Sequence, residues 1–404
     1  MILDSLELPS TWRRSPVSAH FRRVSRKGFD DKPLLSVYRE HGVVPRGFTD
    51  DNWNLMPTDL TAYQLVEPGD LAVNKMKAWQ GSLGLSQLEG VVSPAYFIYT
   101  PISRSFDQRY LNYLIRSRLL AAELARLSDG VRPQQWDLDP KAFERVPLPE
   151  PPMKEQRRIA DYLDRETTTI DALIEKQQRL RSVLKERRQE LVRAHLADVG
   201  PQVQLRHLVV RERPMTYGIL QAGEHDDGGV PYIGPADISR VGGTPALQDL
   251  RRTTVEIAAQ YQRSTLRPGD LVASIGPAYG HVMEVSEELD GANLTQDTVR
   301  LALDPDRAER RYLMWVLQGA ASRDFWNFEI TGATFRRLNL GTLARTPVPL
   351  PSLNEQREIA DHLDRETAKI DALIAKAERF IELAQERRAA LITAAVTGQI
   401  EIPT

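Results

Sequence analysis

The feature that most constrains the fold is an internal repeat in which equivalent residues stand 200 positions apart. Residues 147–174 and 347–374 are identical at 19 of 28 positions. The same offset relates the Pro-Gly-Asp-Leu segments at 68–71 and 268–271, although the residues around them have diverged. Solenoid repeats are only about 20 to 50 residues long, so a period of this length is typical of duplicated domains. The sequence therefore predicts variable and conserved segments that alternate, each present twice.

The repeat divides the chain into four segments. A first variable domain at 1–146 precedes a conserved helical segment at 147–200. A second variable domain at 201–346 precedes a second conserved helical segment, with a C-terminal tail, at 347–404. The full length of 404 residues is enough for domains of this size to bury cores of their own.

The conserved segments predict long helices. Ser352 and Glu355 form a capping-box pattern, and neither proline nor glycine interrupts 153–196 or 352–397. About 40 residues of helix make a rod of about 60 Å. Apolar residues recur every seven positions in two series per copy: Leu163, Ile170, Leu184 and Leu191 with Ile159, Leu173 and Leu180, then Leu363, Ile370, Ala377, Ala384 and Leu391 with Ile359, Leu373 and Phe380.

An apolar stripe of this kind needs a partner surface. The simplest partner is the near-copy in the same chain, which gives an intramolecular coiled coil and a duplicated, pseudo-twofold architecture. Two unrelated helices, each lying on its own domain, are the alternative. The variable segments predict mixed α/β (α+β) domains, because strand patterns such as 70–73 and 270–275 accompany helical patterns at 110–127 and near 311–320.

Composition excludes several classes of site. The chain has no cysteine, and its 7 histidines are scattered without metal-ligand spacing, so disulfides, thiolate metal sites and a catalytic zinc are not expected. The net charge of −2 does not favour a basic coat for nucleic acid. We expect a cytoplasmic protein, because no apolar run approaches about 18 residues and residues 1–7 lack a basic leader.

Two sequence features resemble those of a known family. One is the duplicated helix start, with its proline pair and Glu-Gln-Arg-x-Ile-Ala-x-x-Leu pattern, and the other is the ending Leu391–Ile400. Together with the two Pro-Gly-Asp-Leu segments, they resemble the specificity subunit of type I restriction–modification systems, which defend cells against foreign DNA. The resemblance implies a non-catalytic subunit with two target-recognition domains. Each domain would read one half of an asymmetric, bipartite DNA target, and an antiparallel coiled coil would set the distance between them.

The resemblance also implies partners. Two methyltransferase subunits would dock on this chain, and restriction subunits would join that core. S-adenosylmethionine would belong to the methyltransferase subunits and ATP with Mg²⁺ to the restriction subunits, so no cofactor is expected on this chain. The near-neutral recognition domains depart from a simple electrostatic picture of DNA binding, and the partner subunits would supply part of the attraction.

Candidate DNA contacts lie in predicted loops that offer donors and aromatic rings, because base edges are read by such groups. One set follows the Pro-Gly-Asp strand in each variable domain, and the other lies at Gly130 and Gly332. The candidates are Asn74, Lys75, Lys77, Trp79, Gln80, Arg132, Gln134 and Gln135 in the first domain, and Ser274, Tyr279, His281, Thr334, Arg336 and Arg337 in the second. For any one of them, a solvated loop or a packing contact is the alternative.

Candidate partner contacts are the polar positions that the repeat preserves in both helices. Exposed ion pairs within a helix contribute less than about 1 kcal/mol, so stability alone gives little reason to keep them. The candidates are Glu155, Gln156, Arg157, Arg187 and Arg188, with Glu355, Gln356, Arg357, Arg387 and Arg388. Intrahelical ion pairs, or a recent duplication, are the alternative explanations.

Two other functions compete with the specificity subunit. A self-contained nuclease is suggested by Asp129 and the Asp139-Pro140-Lys141 segment, whose carboxylates could hold Mg²⁺. The repeat replaces Asp139 by Asn339 and Lys141 by Gly341. Neither an Asn/Asp-Pro-Pro-aromatic methyltransferase motif nor a Gly-Lys-Ser/Thr phosphate loop occurs. A coiled-coil adaptor that never reads DNA is the other alternative.

The chain ends give a final prediction. Gly200 and Gly398 each follow a predicted helix, and polar and apolar residues alternate after both. The C-terminal tail should therefore dock on the first variable domain, where 201–205 would lie on the second. The two termini would then lie close together.

Overall fold

The computed structural model describes residues 2–39, 41–47, 59–132, 135–238, 244–330 and 337–403, with the main chain alone at 129–132 and 135. The chain forms two compact units. The first unit comprises 1–178 together with 378–404, and the second comprises 179–377. Each unit therefore holds one variable domain and a part of both long helices.

The elements follow the duplication. The first unit begins with a 3-10 turn at Ile2–Ser5, followed by β1 (Arg13–Pro16), α1 (Val17–His20), β2 (Phe21–Val24), β3 (Leu35–Tyr38), β4 (Gly42–Pro45), β5 (Gln64–Val66), β6 (Leu71–Asn74), β7 (Leu83–Leu85), β8 (Gly90–Val92), β9 (Tyr96–Pro101), α2 (Gln108–Ile115), α3 (Arg118–Leu127), β10 (Ser128–Arg132), β11 (Gln135–Leu138), α4 (Pro140–Glu144), β12 (Pro147–Glu150) and the start of α5 (Met153–Leu196). The second variable domain and last helix give β13 (Gln202–Gln204), β14 (Thr216–Tyr217), β15 (Val230–Ile233), β16 (Arg252–Thr253), α6 (Val255–Gln260), β17 (Leu271–Ser274), β18 (Val282–Glu284), β19 (Asn293–Leu294), β20 (Thr298–Leu301), α7 (Arg310–Gln318), α8 (Ala320–Glu329), α9 (Leu340–Ala344), β21 (Pro347–Pro349) and α10 (Leu353–Val396).

The main sheet of each unit has four antiparallel strands. The order is β2-β9-β6-β7 in the first unit and β14-β20-β17-β18 in the second. The central pairs share one register, since Leu71 lies opposite Tyr99 and Leu271 lies opposite Leu301. The predicted alternation of mixed helix-and-sheet domains with long helices is confirmed.

In each unit the Pro-Gly-Asp segment forms a tight turn that leads into an inner strand of the main sheet. Gly69 and Gly269 have φ of +94° and +84°, in the left-handed region that glycine adopts without strain. The buried carboxylate of Asp70 pairs with Arg26, and that of Asp270 accepts two hydrogen bonds from Arg213 at 2.7 and 2.8 Å. The motif therefore has a structural use in both units, at the entry to an inner strand of the main sheet.

A buried tyrosine ties each variable domain to the conserved segments. The Tyr110 hydroxyl of α2 donates to the main-chain oxygens of Pro149 and Val396, both at 3.2 Å. The Tyr312 hydroxyl of α7 donates to the Pro349 oxygen at 2.8 Å. Burial raises the pKa of both phenols, so they act as neutral donors.

The long helices pair antiparallel within each unit. In the first unit, Ile170 and Ile174 pack against Ile381, and Arg388 donates to Asp171 at 2.8 Å. In the second unit, the counterpart pair is Arg188 with Asp371, also at 2.8 Å. An early segment of one helix thus lies beside a late segment of the other, as the coiled-coil prediction required.

The second of the two seven-residue series holds at Ile159 and Ile359 but is wrong by one position further along each helix. Leu173 and Leu180 are 43% and 45% exposed, whereas Ile174 is 8% exposed. The second copy behaves alike, since Phe380 is exposed and Ile381 is buried. The residues that contact the other helix are spaced by four positions, as Ile170 and Ile174 are, and not by three. Either choice lies on one stripe of a helix, and the observed rotation packs Ile174 against Ile381.

The C-terminal tail docks within the first unit, as predicted. Gly398, with φ of +72°, brings the chain against Pro9, and a Cβ added at Gly398 would lie 2.6 Å from the Pro9 ring. Ile402 is 5% exposed and belongs to the same core cluster as Leu3 and Trp12. The N-terminal and C-terminal segments of the chain therefore lie side by side.

The predicted counterpart of the tail was wrong. In the second unit β13 pairs with β21, and Gln204 lies opposite Pro347. In the first unit the strand in that place is β1, where Pro16 lies opposite Pro147. The tail and residues 2–12 instead correspond to the short connection at 197–201. In both units the partner of the proline strand is thus the strand that opens the variable domain.

Candidate nucleic-acid interface

Loops that are distant in sequence converge at one end of each main sheet. We define the first edge as residues 74–82, 93–96 and 136–138, and the second edge as 274–281, 295–298 and 337–338. The same three main-chain hydrogen bonds hold each edge. They are Asn74 N to Ser82 O (3.0 Å), Lys75 N to Ala95 O (3.0 Å) and Leu138 N to Lys75 O (2.9 Å), matched by Ser274 N to His281 O (2.9 Å), Ile275 N to Asp297 O (2.8 Å) and Leu338 N to Ile275 O (3.0 Å).

The two candidate regions of each variable domain, predicted separately from the sequence, thus lie together. The hydrogen bonds also fix equivalent positions. Lys75 corresponds to Ile275, Ala95 to Asp297, and, by the 200-residue offset, Asp137 to Arg337. The scaffold is the same at both edges, and the side chains that it presents are different.

The first edge presents polar and aromatic groups. Lys77 and Gln80 are exposed, and Lys75 is half-buried. Trp79 is not a core residue: its Nε1 donates to the Met76 oxygen at 3.1 Å, and its ring meets that of Trp136 edge-on, with centroids 5.1 Å apart. The sequence analysis missed Trp136, although an aromatic residue directly after Gln135 was a usable signal.

Asn74 supports the loop of the first edge. Its side-chain oxygen accepts a hydrogen bond from the Met76 main chain at 3.1 Å, and the residue is half-buried. Asn74 therefore shapes the turn that displays Lys75 and Lys77.

The second edge differs in charge and in support. Ser274 is fully buried, where its hydroxyl donates to the Ala278 oxygen at 2.8 Å and closes the loop, so its side chain does not reach the surface. Tyr279 is half-buried and donates to the Asn327 side chain at 2.6 Å. His281 is half-buried, and Arg337 is exposed and paired with Asp297.

Several candidates cannot be located further. Gln134, Thr334 and Arg336 lie outside the described residues, as do the side chains of Arg132 and Gln135. Phe328, which the sequence analysis did not select, is 79% exposed on α8 beside Asn327. An aromatic ring this open to solvent, adjacent in sequence to the residue that accepts from Tyr279, is a further candidate for DNA contact.

The nuclease-like segment has a structural role. The Asp139 carboxylate caps α4 by accepting from the Lys141 main chain at 3.0 Å, and Asn339 caps α9 by accepting from Thr342 at 2.8 Å. Both residue types are good N-caps, which explains why the repeat tolerates the exchange. Within the described part of the chain, no group of three or more histidine and carboxylate side chains is arranged to hold a metal ion.

The glutamine of each duplicated Glu-Gln-Arg is enclosed. Gln156 accepts from the Asp107 main chain at 2.7 Å and donates to the oxygens of Ser105 and Pro151 at 2.9 and 2.8 Å. Gln356 makes the equivalent bonds to Glu309, Arg307 and Pro351. Both side chains are at most 1% exposed, so they clamp α5 and α10 to the variable domains and do not face a partner.

The other candidate partner residues divide into two groups. Arg188 and Arg388 are used in the interhelical pairs with Asp371 and Asp171. The remaining positions lie on the outer helix surfaces, exposed or, at Glu155, partly exposed: Glu155, Arg157, Arg187, Glu355, Arg357 and Arg387.

An exposed apolar stripe lies on each long helix. Its members on α5 recur on α10 at the 200-residue offset, and all six side chains are 39% exposed or more: Leu173, Leu180, Val183, Leu373, Phe380 and Leu383. On each helix these residues share one face, because they are spaced by seven and three positions. Large exposed apolar side chains in a contiguous, duplicated pattern are typical of an interaction surface.

No helix among the described residues combines the length and the apolar character needed to cross a membrane.

Comparison with known proteins finds similarity over part of the chain. Residues 219–382 match the type I restriction modification DNA specificity domain. The specificity subunit of the type I restriction enzyme EcoBI from Escherichia coli is 24% identical over 290 residues, which cover 65% of this chain and 60% of that protein. The aligned part therefore spans less than two thirds of that relative.

Two solved structures share the fold along 98% of this chain. One belongs to a study of complex assembly and conformational transition of the type I R-M system, with a TM-score of 0.69, 17% identity and 100% of that chain covered. The other is the HsdS subunit from Thermoanaerobacter tengcongensis, with a TM-score of 0.50, 19% identity and 99% covered. Its duplicated long helices, its two variable domains and its matched domain at 219–382 make the chain similar to the specificity subunits of type I restriction–modification systems.

Proposed function

We propose that this chain is the sequence-reading subunit of a type I restriction–modification complex and that each edge contacts one half of an asymmetric DNA target. The observation that carries the proposal is the contrast between the edges. Equivalent main-chain hydrogen bonds present Ala95 and Asp137 at the first edge but Asp297 and Arg337 at the second. Two readers on one scaffold, with different side chains, recognise two different half-sites.

The duplicated apolar stripes support docking of two identical partners. Equivalent surfaces on α5 and α10 bind equivalent subunits, and we propose that these are methyltransferase subunits, with restriction subunits joining the assembly. S-adenosylmethionine, ATP and Mg²⁺ would be bound by those partners. The exposed cations near the stripes, Arg187 and Arg387, belong to the same proposed surface. A complex of this kind acts on DNA in the cytoplasm.

Selection from a random duplex library tests the reading function. The purified full-length chain, alone and with its methyltransferase subunits, should enrich a bipartite motif with unlike halves. Replacing residues 201–346 by the second recognition domain of another specificity subunit should change one half and leave the other intact. Enrichment of no motif, or a change in both halves at once, would contradict the proposal.

The absence of catalysis by this chain is a separate expectation. We infer it from the helix-capping role of Asp139, which removes the nuclease-like segment from consideration. Incubating the purified chain with DNA, Mg²⁺ and S-adenosylmethionine should give neither cleavage nor methyl transfer. Activity in this reaction without added subunits would favour the self-contained enzyme.

A further inference from the structure

We propose that Arg337 reads a guanine in the second half-site and that Asp297 is a positioning residue that orients its guanidinium. This inference rests on the proposed DNA-reading function and names the base that one side chain recognises. Arg337 projects from the second edge, with its side chain 46% exposed and one terminal nitrogen on an Asp297 oxygen. Within the part of the chain that the structure describes, Asp297 is its only hydrogen-bonding partner.

Asp297 is itself held in place. Its main-chain oxygen accepts from the nitrogens of Ile275 at 2.8 Å and Gly276 at 3.3 Å. Its carboxyl group lies close to Gly276, where an added Cβ would be 3.1 Å from the Asp297 Cγ. A glycine at this position therefore leaves room for the carboxylate, and the main-chain bonds fix the side chain that orients Arg337.

This pairing favours a base over a phosphate as the ligand. An arginine that serves phosphate attraction gains most when its charge is uncompensated, whereas the Asp297 carboxylate neutralises Arg337. Asp297 holds the Arg337 guanidinium at one terminal nitrogen and leaves the side chain 46% exposed. A planar pair of guanidinium N–H groups matches the paired acceptors O6 and N7 of guanine. The planar fork loses less rotational freedom on binding when a carboxylate already holds it.

The pair is specific to the second unit. The equivalent positions of the first edge hold Asp137 and Ala95, although the surrounding main-chain bonds are the same. A structural ion pair of the scaffold would be expected in both units, as Arg188–Asp371 and Arg388–Asp171 are. A pair present at one edge alone is instead expected of a residue that distinguishes the two half-sites.

The test is random-duplex selection with the full-length chain and its Arg337→Ala, Arg337→Lys and Asp297→Asn variants. The wild-type chain should enrich a second half-site that contains a specific guanine. In Arg337→Ala this position should become degenerate, with discrimination between guanine and the other bases falling roughly 5- to 150-fold. Arg337→Lys should keep only part of this preference, because an ammonium lacks the planar fork. The first half-site should not change in any variant.

The Asp297→Asn variant distinguishes a base contact by Arg337 from a phosphate contact. If Arg337 reads guanine, this nearly isosteric variant weakens the preference at that one base while affinity for unrelated DNA stays equal or rises. If Arg337 contacts phosphate, Asp297→Asn strengthens binding to all sequences alike, and Arg337→Ala lowers the slope of log affinity against log salt by about 0.9. The second pattern would overturn the inference, as would an unchanged motif in Arg337→Ala.

Arg310→Ala is the matched control. Arg310 is also a partly exposed arginine of the second unit and pairs with Glu284 at 2.6 Å, but Glu284 lies at the opposite end of β18 from the edge. Its loss should leave every base preference intact. If wild-type chain enriches no motif at all, the proposed DNA-reading function fails; if it enriches a motif that Arg337→Ala leaves intact, only the inference about Arg337 fails.

Discussion

The buried glutamine of the second repeat gives the sharpest test of how the helices are attached. Gln356 is 1% exposed and makes three hydrogen bonds: it accepts from the Glu309 main chain at 2.8 Å and donates to the oxygens of Arg307 and Pro351, both at 3.0 Å. Gln356→Ala removes all three. The orphaned N–H of Glu309 alone costs about 1 to 3 kcal/mol, and each lost donor bond adds about 1 kcal/mol before water enters the gap.

We therefore expect Gln356→Ala to destabilise the second unit by about 3 to 5 kcal/mol. Gln356→Glu should be destabilising as well, because a carboxylate can accept from Glu309 but places negative charge beside two carbonyl oxygens. Urea unfolding followed by circular dichroism gives the free energy of unfolding, and hydrogen exchange at the Glu309 amide locates the loss in the second unit.

Asn354→Ala is the matched control, since Asn354 lies on the same turn and is exposed. It should change the free energy of unfolding by less than about 0.5 kcal/mol. The clamp would be refuted if Gln356→Ala unfolded with wild-type stability. If Gln356→Ala kept wild-type stability but bound the methyltransferase subunits more weakly, Gln356 would be a partner contact, as predicted from the sequence.

Three further predictions test the other surfaces. Ile402→Ala should destabilise the first unit by about 2 to 4 kcal/mol, because the side chain is 5% exposed in the core cluster. Hydrogen exchange should show no change in the second unit. If the tail were frayed, the substitution would be neutral. The double variant Leu180→Ser, Phe380→Ser should leave thermal unfolding almost unchanged, because both side chains are exposed. Calorimetry should show at least a tenfold lower affinity for the methyltransferase subunits. Retained affinity would exclude the apolar stripes as the docking surface. Phe328→Ala should shift stability by less than about 0.5 kcal/mol, since the ring is 79% exposed, yet weaken binding to DNA in fluorescence anisotropy; equal affinity would remove Phe328 from the candidate DNA contacts.

Much of the candidate site could be anticipated from turn chemistry and residue type. The loops after the two Pro-Gly-Asp strands and the segments near Gly130 and Gly332 were selected separately, and those parts that the structure describes lie together at the two edges. Ser274 shows the limit of this reasoning. Its hydroxyl satisfies a main-chain oxygen inside its own loop, and residue type alone cannot distinguish that use from a base contact.

The duplication and the long uninterrupted helices can be predicted from the amino-acid sequence, because repeats, helix breakers and apolar spacing are local or periodic properties of the chain. The tertiary structure was needed to show which side of each apolar stripe is buried, since Leu173 and Ile174 fit one stripe equally well and Ile174 packs against Ile381 from a distant segment. It also decided that Gln156 and Gln356 are clamps and that Arg337 meets Asp297. Burial and pairing depend on what the rest of the chain brings to a side chain, which is information that the local pattern does not contain.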